Sequence, residues 1–294
     1  MRSIIRAASP SRASRGLAIH ALACISLSFL AFHASAKNSG DPKLKSSSVL
    51  IVDQSDSSVL YSRNPDVAAP IASITKLMTA LVVLDANQPL DEPIQITEAD
   101  RDHPKGAFSR LTVGSTLTRG DLMHVALMAS ENRAAHALGN NYPGGMTAMV
   151  AAMNAKAQAL GMTTAHFVDP TGLSSQNVAS PEDLSKLVIA ASKNSTIREF
   201  STDKNFSVRV RKHLVEFRNT DRLVANPTWN IIVQKTGYIA EAGKCLVMAA
   251  VIEGRSVVIV LLDSFGKYTR VADAQRIKTW MATTSNPRFQ VSIR

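Results

Sequence analysis

Two cysteines in 294 residues, Cys24 and Cys245, leave no basis for a disulfide framework. Cys24 falls within residues 1–36, which read as a secretory leader. Arg2, Arg6, Arg12 and Arg15 come without an acidic partner, Leu17 to Phe32 is largely apolar, and Ala34-Ser35-Ala36 is a small-x-small cleavage site. A lipid-bearing start at Cys24 is the alternative, although Ala21-Leu22-Ala23 is a poor approach to one. With the leader gone, Cys245 is the one thiol left, so the exported chain depends on its core alone. Within the strand-like run Gly243 to Ile252, that thiol reads as a small buried apolar group.

Aromatic residues make up only 5% of the chain, and no basic run is interleaved with them, which argues against nucleic acid. After the leader no stretch reaches the roughly 18 uncharged apolar residues of a spanning helix, so no integral membrane segment is expected. His103, His124, His136, His166 and His213 never fall into His-Glu-x-x-His spacing, so no metal and no cofactor is expected. A Gly-x-Ser-x-Gly turn is absent too, which removes the usual footing of a Ser-His-Asp triad. Acidic residues are outnumbered. Four arginines leave with residues 1–36, so the net charge falls from +10 to +6, a balance that suits an anionic polymer or membrane face and also simple solubility.

The order of elements is legible from punctuation and periodicity. Ser48 to Asp53 and Ser58 to Ser62 form a predicted hairpin around a turn-rich link. Pro70 to Ala80, continuing through Leu84, is too apolar for a surface helix and reads as one buried through the domain. Residues 94–118 read as loops and short strands, followed by helices over Asp121 to Ala129, Arg133 to Leu138, Met146 to Leu160 and from Ser180 through Ala191. Phe206 to Val210, Ile231 to Gln234, Leu246 to Ile252 and Val257 to Leu262 are strand-like, the last two joined at Glu253-Gly-Arg-Ser256, and Tyr268 to Thr283 closes the chain as a helix. The expected fold is α+β: an antiparallel sheet flanked by helices in one domain over 37–294, interrupted by a mainly helical insertion at about 87–200.

Three short boxes carry the chemistry. Ser73 and Lys76 lie three apart at the start of the buried helix, so they share a face and the lysine can reach the hydroxyl. The serine is placed at the positive end of that helix. An N-cap serine beside a solvated lysine is the bland alternative. Ser-x-x-Lys also occurs at Ser201 and Ser264, where polar or glycine-containing surroundings predict loops. Ser130-Glu131-Asn132 follows Ser73 by 57 residues, between two helical runs. Lys235-Thr236-Gly237 follows Ser130 by 105 residues, inside a strand-like run, where glycine marks either a close approach or a bulge.

Together with Asp169-Pro-Thr-Gly172, Tyr142-Pro-Gly-Gly and Phe265-Gly-Lys-Tyr-Thr, these boxes resemble those of the penicillin-recognising serine enzymes, and more narrowly the low-molecular-mass penicillin-binding proteins. The resemblance spans nearly the whole mature chain and implies a β-lactamase/transpeptidase-like fold. It implies Ser73 as nucleophile, Lys76 as base, aided by the second cation Lys235, and Ser130 as the relay to the leaving amine. Asn132 would hold Lys76 and the substrate amide, Thr236 the substrate backbone or carboxylate, and the N–H groups of Ser73 and Tyr238 beside Gly237 the oxyanion. Arg270 matches an arginine that meets a terminal carboxylate; its alternative is a solvated position on the last helix. The implied partners are peptidoglycan peptide stems and β-lactam antibiotics, the implied compartment the periplasm, with loose membrane attachment as the variant. Of two implied reactions, hydrolysis of the D-alanyl to diaminopimelyl crosslink is favoured over trimming of pentapeptide stems. Only about thirty residues follow Leu262, so neither a second β-rich domain nor a C-terminal anchor is expected. A class A β-lactamase would need a further glutamate in a Glu-x-x-Leu-Asn loop, and none occurs between residues 133 and 234. A non-catalytic wall-binding module would have no use for the intact boxes.

Overall fold

A computed structural model describes residues 40–101 and 109–284. The leader, Cys24 and His103 lie outside these residues. The chain begins with strands β1 (Ser46–Asp53), β2 (Val59–Arg63) and β3 (Ala69–Pro70), then a 3-10 turn over Ala72–Ile74 and helix α1 (Thr75–Asp85). Strands β4 (Pro93–Gln95) and β5 (Thr116–Thr118) precede α2 (Arg119–Met128), α3 (Asn132–Asn140) and α4 (Gly145–Ala159). Next come β6 (Val178–Ala179), α5 (Pro181–Ser192), α6 (Ser195–Thr202) and the hairpin β7 (Asn205–Val210) and β8 (His213–Arg218). Strands β9 (Asn230–Ile239), β10 (Gly243–Ile252) and β11 (Arg255–Ser264) and helix α7 (Thr269–Thr284) complete it.

The principal sheet is antiparallel, in the order β2-β1-β11-β10-β9. Its inner strands β1, β10 and β11 carry near-continuous apolar runs because both their faces are covered. Along β1, Leu50 and Val52 face the helical side while Val49 and Ile51 face α7. On β11, Val258, Val260 and Leu262 alternate in the same way with Val257, Ile259 and Leu261. Helix α1 is buried from Thr75 to Val83, as its lack of a polar face predicts. Start signals lie where the sequence places them: Thr118 and Asp121 form a capping box for α2, and Ser180 caps α5 with Pro181 at its first position.

Two expectations are corrected. Ser201 is not in a loop: α6 extends through it, capped by the Asn194 side chain on Ile197 N–H, and Ser201 is fully buried. Ile197 and Phe200 pack inward from an otherwise polar segment, so tertiary burial stabilises a helix whose composition looks like a link. Ser264 ends β11 and is buried, its hydroxyl 2.6 Å from that of Ser46. His124 is in the core, stacked between Phe200 and Phe206, with Nε2 3.0 Å from Asp203.

The two ends of the described chain are fastened together. Asp273 on α7 is buried and accepts from Ser46 N–H at 2.8 Å, Lys45 N–H at 2.9 Å and the Ser46 hydroxyl at 2.7 Å, and Arg276 lies 2.6 Å away. Asp273→Ala strands the buried Ser46 N–H and removes the acceptor of the half-buried Lys45 N–H, while the Ser46 hydroxyl keeps Ser264, and is expected to cost about 2 kcal/mol, read as a lower urea midpoint at an unchanged slope. An unchanged midpoint would show that β1 does not depend on this carboxylate.

Candidate active site

The serine is presented by strained backbone. Ala72, at φ +48°, turns the chain into the 3-10 segment that carries Ser73, and Thr75 closes it by donating its hydroxyl to Ala72 O at 2.8 Å. Ser73 therefore sits in that turn, just ahead of α1, and no side-chain cap is formed there. Lys76, one helical turn on and only 1% exposed, has Nζ 2.9 Å from Ser73 Oγ, 2.7 Å from Asn132 Oδ1 and 2.6 Å from Thr171 O. That geometry displaces the reading of a solvated lysine.

Asn132 comes from the first position of α3. Between α2 and α3 the chain turns through Ser130 at φ +60°, one of eight non-glycine residues with positive φ among the described residues, Ala72 being another. Glu131, between the two named residues, is buried and accepts from the Ser109 hydroxyl, while Arg133 donates to Leu111 O. The loop at 109–111 is thus tied to the box from both sides.

Thr171 belongs to the Asp169–Gly172 turn. Asp169 Oδ1 accepts from Thr171 N–H, Gly172 N–H and the Thr171 hydroxyl at 2.6–2.7 Å, which fixes the carbonyl that Lys76 meets. Gly172 has φ +79°, and a Cβ there would lie 1.9 Å from Ala72 O, so only glycine permits this turn to lean on the backbone before Ser73.

The third box lies on β9, the sheet edge opposite the 3-10 turn. Gly237 pairs in register with Cys245, and the irregularity in this ladder falls instead at Ala249/Ala250. A Cβ on Gly237 would lie 2.9 Å from Ile71 O and 3.3 Å from Ser73 N, so its glycine reflects close approach and not a bulge. Lys235 is fully buried, and its ammonium donates to Thr236 O at 3.0 Å. Burial first, then the charges of Lys76 and Arg270, hold Lys235 well below the usual lysine range, with Asp221 opposing them. Asp221 is itself buried; desolvation pushes its carboxyl up against the opposing pull of Leu223 N–H, Arg270 and Lys235. Arg270 is half-buried and donates to Gly237 O at 3.3 Å, so it belongs to the site's rim and not to a solvated helix face. Tyr238 is 60% exposed at the mouth. Cys245 lies beneath, its thiol pushed up to about 11 by burial, which makes it an unreactive packing group.

Lys76 joins Ser73 to Asn132, Gly237 approaches Ser73 N from β9, and Arg270 bonds Gly237 O. The sequence reading missed the connecting groups. Thr220 donates N–H to Met128 O at 3.1 Å and lies 2.7 Å, hydroxyl to hydroxyl, from Thr236, so it joins the end of α2 to β9. Neither Thr220 nor the Thr171 carbonyl has a residue-type signature. A polar residue in the short link before a box was the only available hint.

The sequence pattern of a D-alanyl-D-alanine carboxypeptidase family, peptidase S11, matches residues 35–266. A D-alanyl-D-alanine endopeptidase of Pseudomonas aeruginosa is 50% identical over 243 residues, 82% of this chain and 78% of that one. One from Escherichia coli is 46% identical over 252 residues, 85% and 81% of the two chains. The crystal structure of the Streptomyces K15 DD-transpeptidase superposes with a TM-score of 0.77 at 28% identity, covering 83% of this chain and 99% of that one.

A lysine depressed by burial weakens the fold wherever it is still charged. The penalty is complete below its folded pKa and fades as pH rises from that value toward 10.5, where the unfolded chain also loses the proton. Lys235→Met is therefore expected to melt above the unaltered protein at neutral pH, with the advantage shrinking as pH approaches 10.5. Thermal melts across that range check it; a variant that melts lower at every pH would show that the ammonium stabilises the site.

Proposed function

Because the chain belongs to the D-alanyl-D-alanine carboxypeptidase family of serine peptidases, we propose that it is a serine DD-endopeptidase of bacterial peptidoglycan. It hydrolyses the D-alanyl to diaminopimelyl crosslink between peptide stems through an acyl-enzyme on Ser73, and penicillins acylate the same oxygen. The observation that carries this reading is the bonding of Lys76. Asn132 Oδ1 and Thr171 O can only accept, so they take two of the N–H groups of Nζ and turn its third position to the Ser73 oxygen at 2.9 Å, where loss of one proton leaves a lone pair aimed at the hydroxyl.

In the first half-reaction Lys76 takes the Ser73 proton as Oγ attacks the D-alanyl carbonyl. The N–H groups of Ser73 and Tyr238 receive the oxyanion, a device whose single donors are worth about 3 kcal/mol in acyl transfer. The C–N bond then breaks, the proton passing from Lys76 through Ser130 to the departing amine. Water repeats the sequence on the ester with Lys76 again as base, releasing the stem's carboxylate and restoring the Ser73 hydroxyl. Lys76 and Lys235 oppose each other's charge, which eases release of a proton from the pair, and Lys235 with Thr236 and Arg270 draws the substrate's carboxylate. Asn132 aligns the substrate amide as well as the base. Gly237 lets the substrate backbone lie against β9.

Cleavage at the crosslink is favoured over trimming because the relatives at 50% and 46% identity carry the endopeptidase name. The mature chain, 37–294, acts as one peptidase domain with a helical insertion at about 87–200. Cleavage after Ala36 releases it into the periplasm. Among the described residues no helix is long and apolar enough to cross a membrane.

Ser73→Ala is expected to abolish covalent labelling by a fluorescent penicillin, while Ser201→Ala, buried in α6, keeps it. Persistent labelling of the first variant would move the nucleophile elsewhere. With purified muropeptides, chromatography should show crosslinked dimers becoming monomers faster than a pentapeptide releases D-alanine. The reverse order would make the enzyme a carboxypeptidase.

A further inference from the structure

In a chain poor in aromatics, the strongly exposed ones gather in one place. Among the described residues these are Tyr238, Phe265 and Tyr268, at 60%, 91% and 53% exposure. All three stand at the same end of the principal sheet, Tyr238 near the end of β9, the other two in the link from β11 to α7. Lys244 on β10 lies between them, in register with Tyr238 on one side and Ser264 on the other.

Each tyrosine carries a cation. Lys244 Nζ is 4.0 Å from the Tyr238 ring centre, and Lys267 Nζ and Arg222 Cζ are 5.4 Å and 5.5 Å from that of Tyr268. Lys267 foremost, with Arg222 adding to it, holds the Tyr268 phenol below its usual range. Acidic groups at this end do little to cancel these charges. Asp221 is buried against Lys235 and Arg270, and the exposed acids are two, Asp263, which accepts from the Ser47 hydroxyl at 2.8 Å, and Glu241 in the β9–β10 turn, against the three cations.

This surface is continuous with the site. Arg270, two residues from Tyr268, bonds Gly237 O, and Arg222 lies two residues from Thr220, whose hydroxyl touches Thr236. A ligand whose first carboxylate is drawn to Thr236 and Arg270 would run out over Tyr268 and Phe265. A terminal D-alanine ends there. The diaminopimelyl leaving group does not: beyond its first carboxylate it continues as a short polymethylene chain and then as a second peptide stem bearing further carboxylates.

We propose that Arg222, Lys244, Lys267, Phe265 and Tyr268 form a docking surface for the acidic leaving stem of the crosslinked substrate. The cations meet its carboxylates, and the rings cover its methylene chain. This inference rests on the peptidase reading above.

The test uses the double variant Arg222→Ala/Lys267→Ala and, separately, Tyr268→Ala. Cleavage of the crosslinked dimer is expected to fall tenfold or more in kcat/KM, mainly through KM, and to lose part of its salt dependence. Penicillin acylation and hydrolysis of a short acyl-D-alanyl-D-alanine peptide should stay within twofold, which also reports an intact fold. Lys267→Arg should restore dimer cleavage. Unchanged dimer cleavage, or an equal fall on all three substrates, would overturn the proposal. So would residue-dependent binding to anionic lipid vesicles with dimer cleavage intact, since it would assign the surface to a membrane. Should the unaltered protein be acylated by penicillin yet cleave no dimer, the endopeptidase reading fails by itself. The surface is then judged by binding of a monomeric tetrapeptide stem to Ser73→Ala protein: affinity lost in the double variant supports docking, and equal affinity refutes it.

Discussion

One nitrogen atom sets the terms for this structure. Lys76 Nζ is held between the Asn132 side chain and the Thr171 carbonyl, with Ser73 Oγ completing the set, and these partners come from α3, the Asp169–Gly172 turn and the turn before α1. An amine in water would keep none of these distances, because a lysine side chain has about 2 kcal/mol of rotamer entropy to resist such placement. Burial supplies the restraint. Helix α1 has no solvated face, so its lysine has nowhere to go except into the pocket its neighbours define. The helices that follow α1 and the sheet each support one side of that pocket.

A second consequence of burial is electrostatic. Lys76, Lys235 and Arg270 share a small volume with one buried carboxylate, Asp221, and desolvation opposes the charged form of both Lys235 and Asp221. Such an arrangement costs stability. It is kept in place by hydrogen bonds that are indifferent to pH, among them Thr220 to Met128 O and Gln234 Nε2 to Ser201 O at 2.6 Å.

The side chains of the candidate site could be singled out because the chemistry proposed for them depends on residue type at fixed spacing. Periodicity and punctuation placed Ser73 and Lys76 at the start of a buried helix, Ser130 and Asn132 between two helical runs and Lys235 to Gly237 within a strand, while the roles of these residues came from the family resemblance, and Ser73 stands in the 3-10 turn just ahead of α1. The capped start of α5 at Ser180-Pro181 was legible for the same reason, whereas α2 begins two residues before the Asp121 expected, under a Thr118 cap. Contributions from backbone atoms were not, since the Thr171 carbonyl is available to any residue at that position. Helix α6 was hidden because its stability comes from what it packs on. The order of the sheet was hidden most deeply: β10 and β11 announce a hairpin, but nothing local says that β1 completes the seam against β11, with Val49 opposite Leu261 and Ile51 opposite Ile259.

That seam bears on how the chain acquires its structure. β1 opens the described chain and β11 nearly closes it, so the central ladder and the Asp273 clasp on Ser46 join partners more than two hundred residues apart. Loop closure of that length is slow, and pairing so remote in sequence lengthens the search for the native state. A polypeptide emerging in order from its N-terminus cannot form its own sheet until the last strand is free. Whatever has to act on the extended chain therefore has until β11 appears, because the topology withholds the central ladder from every shorter piece.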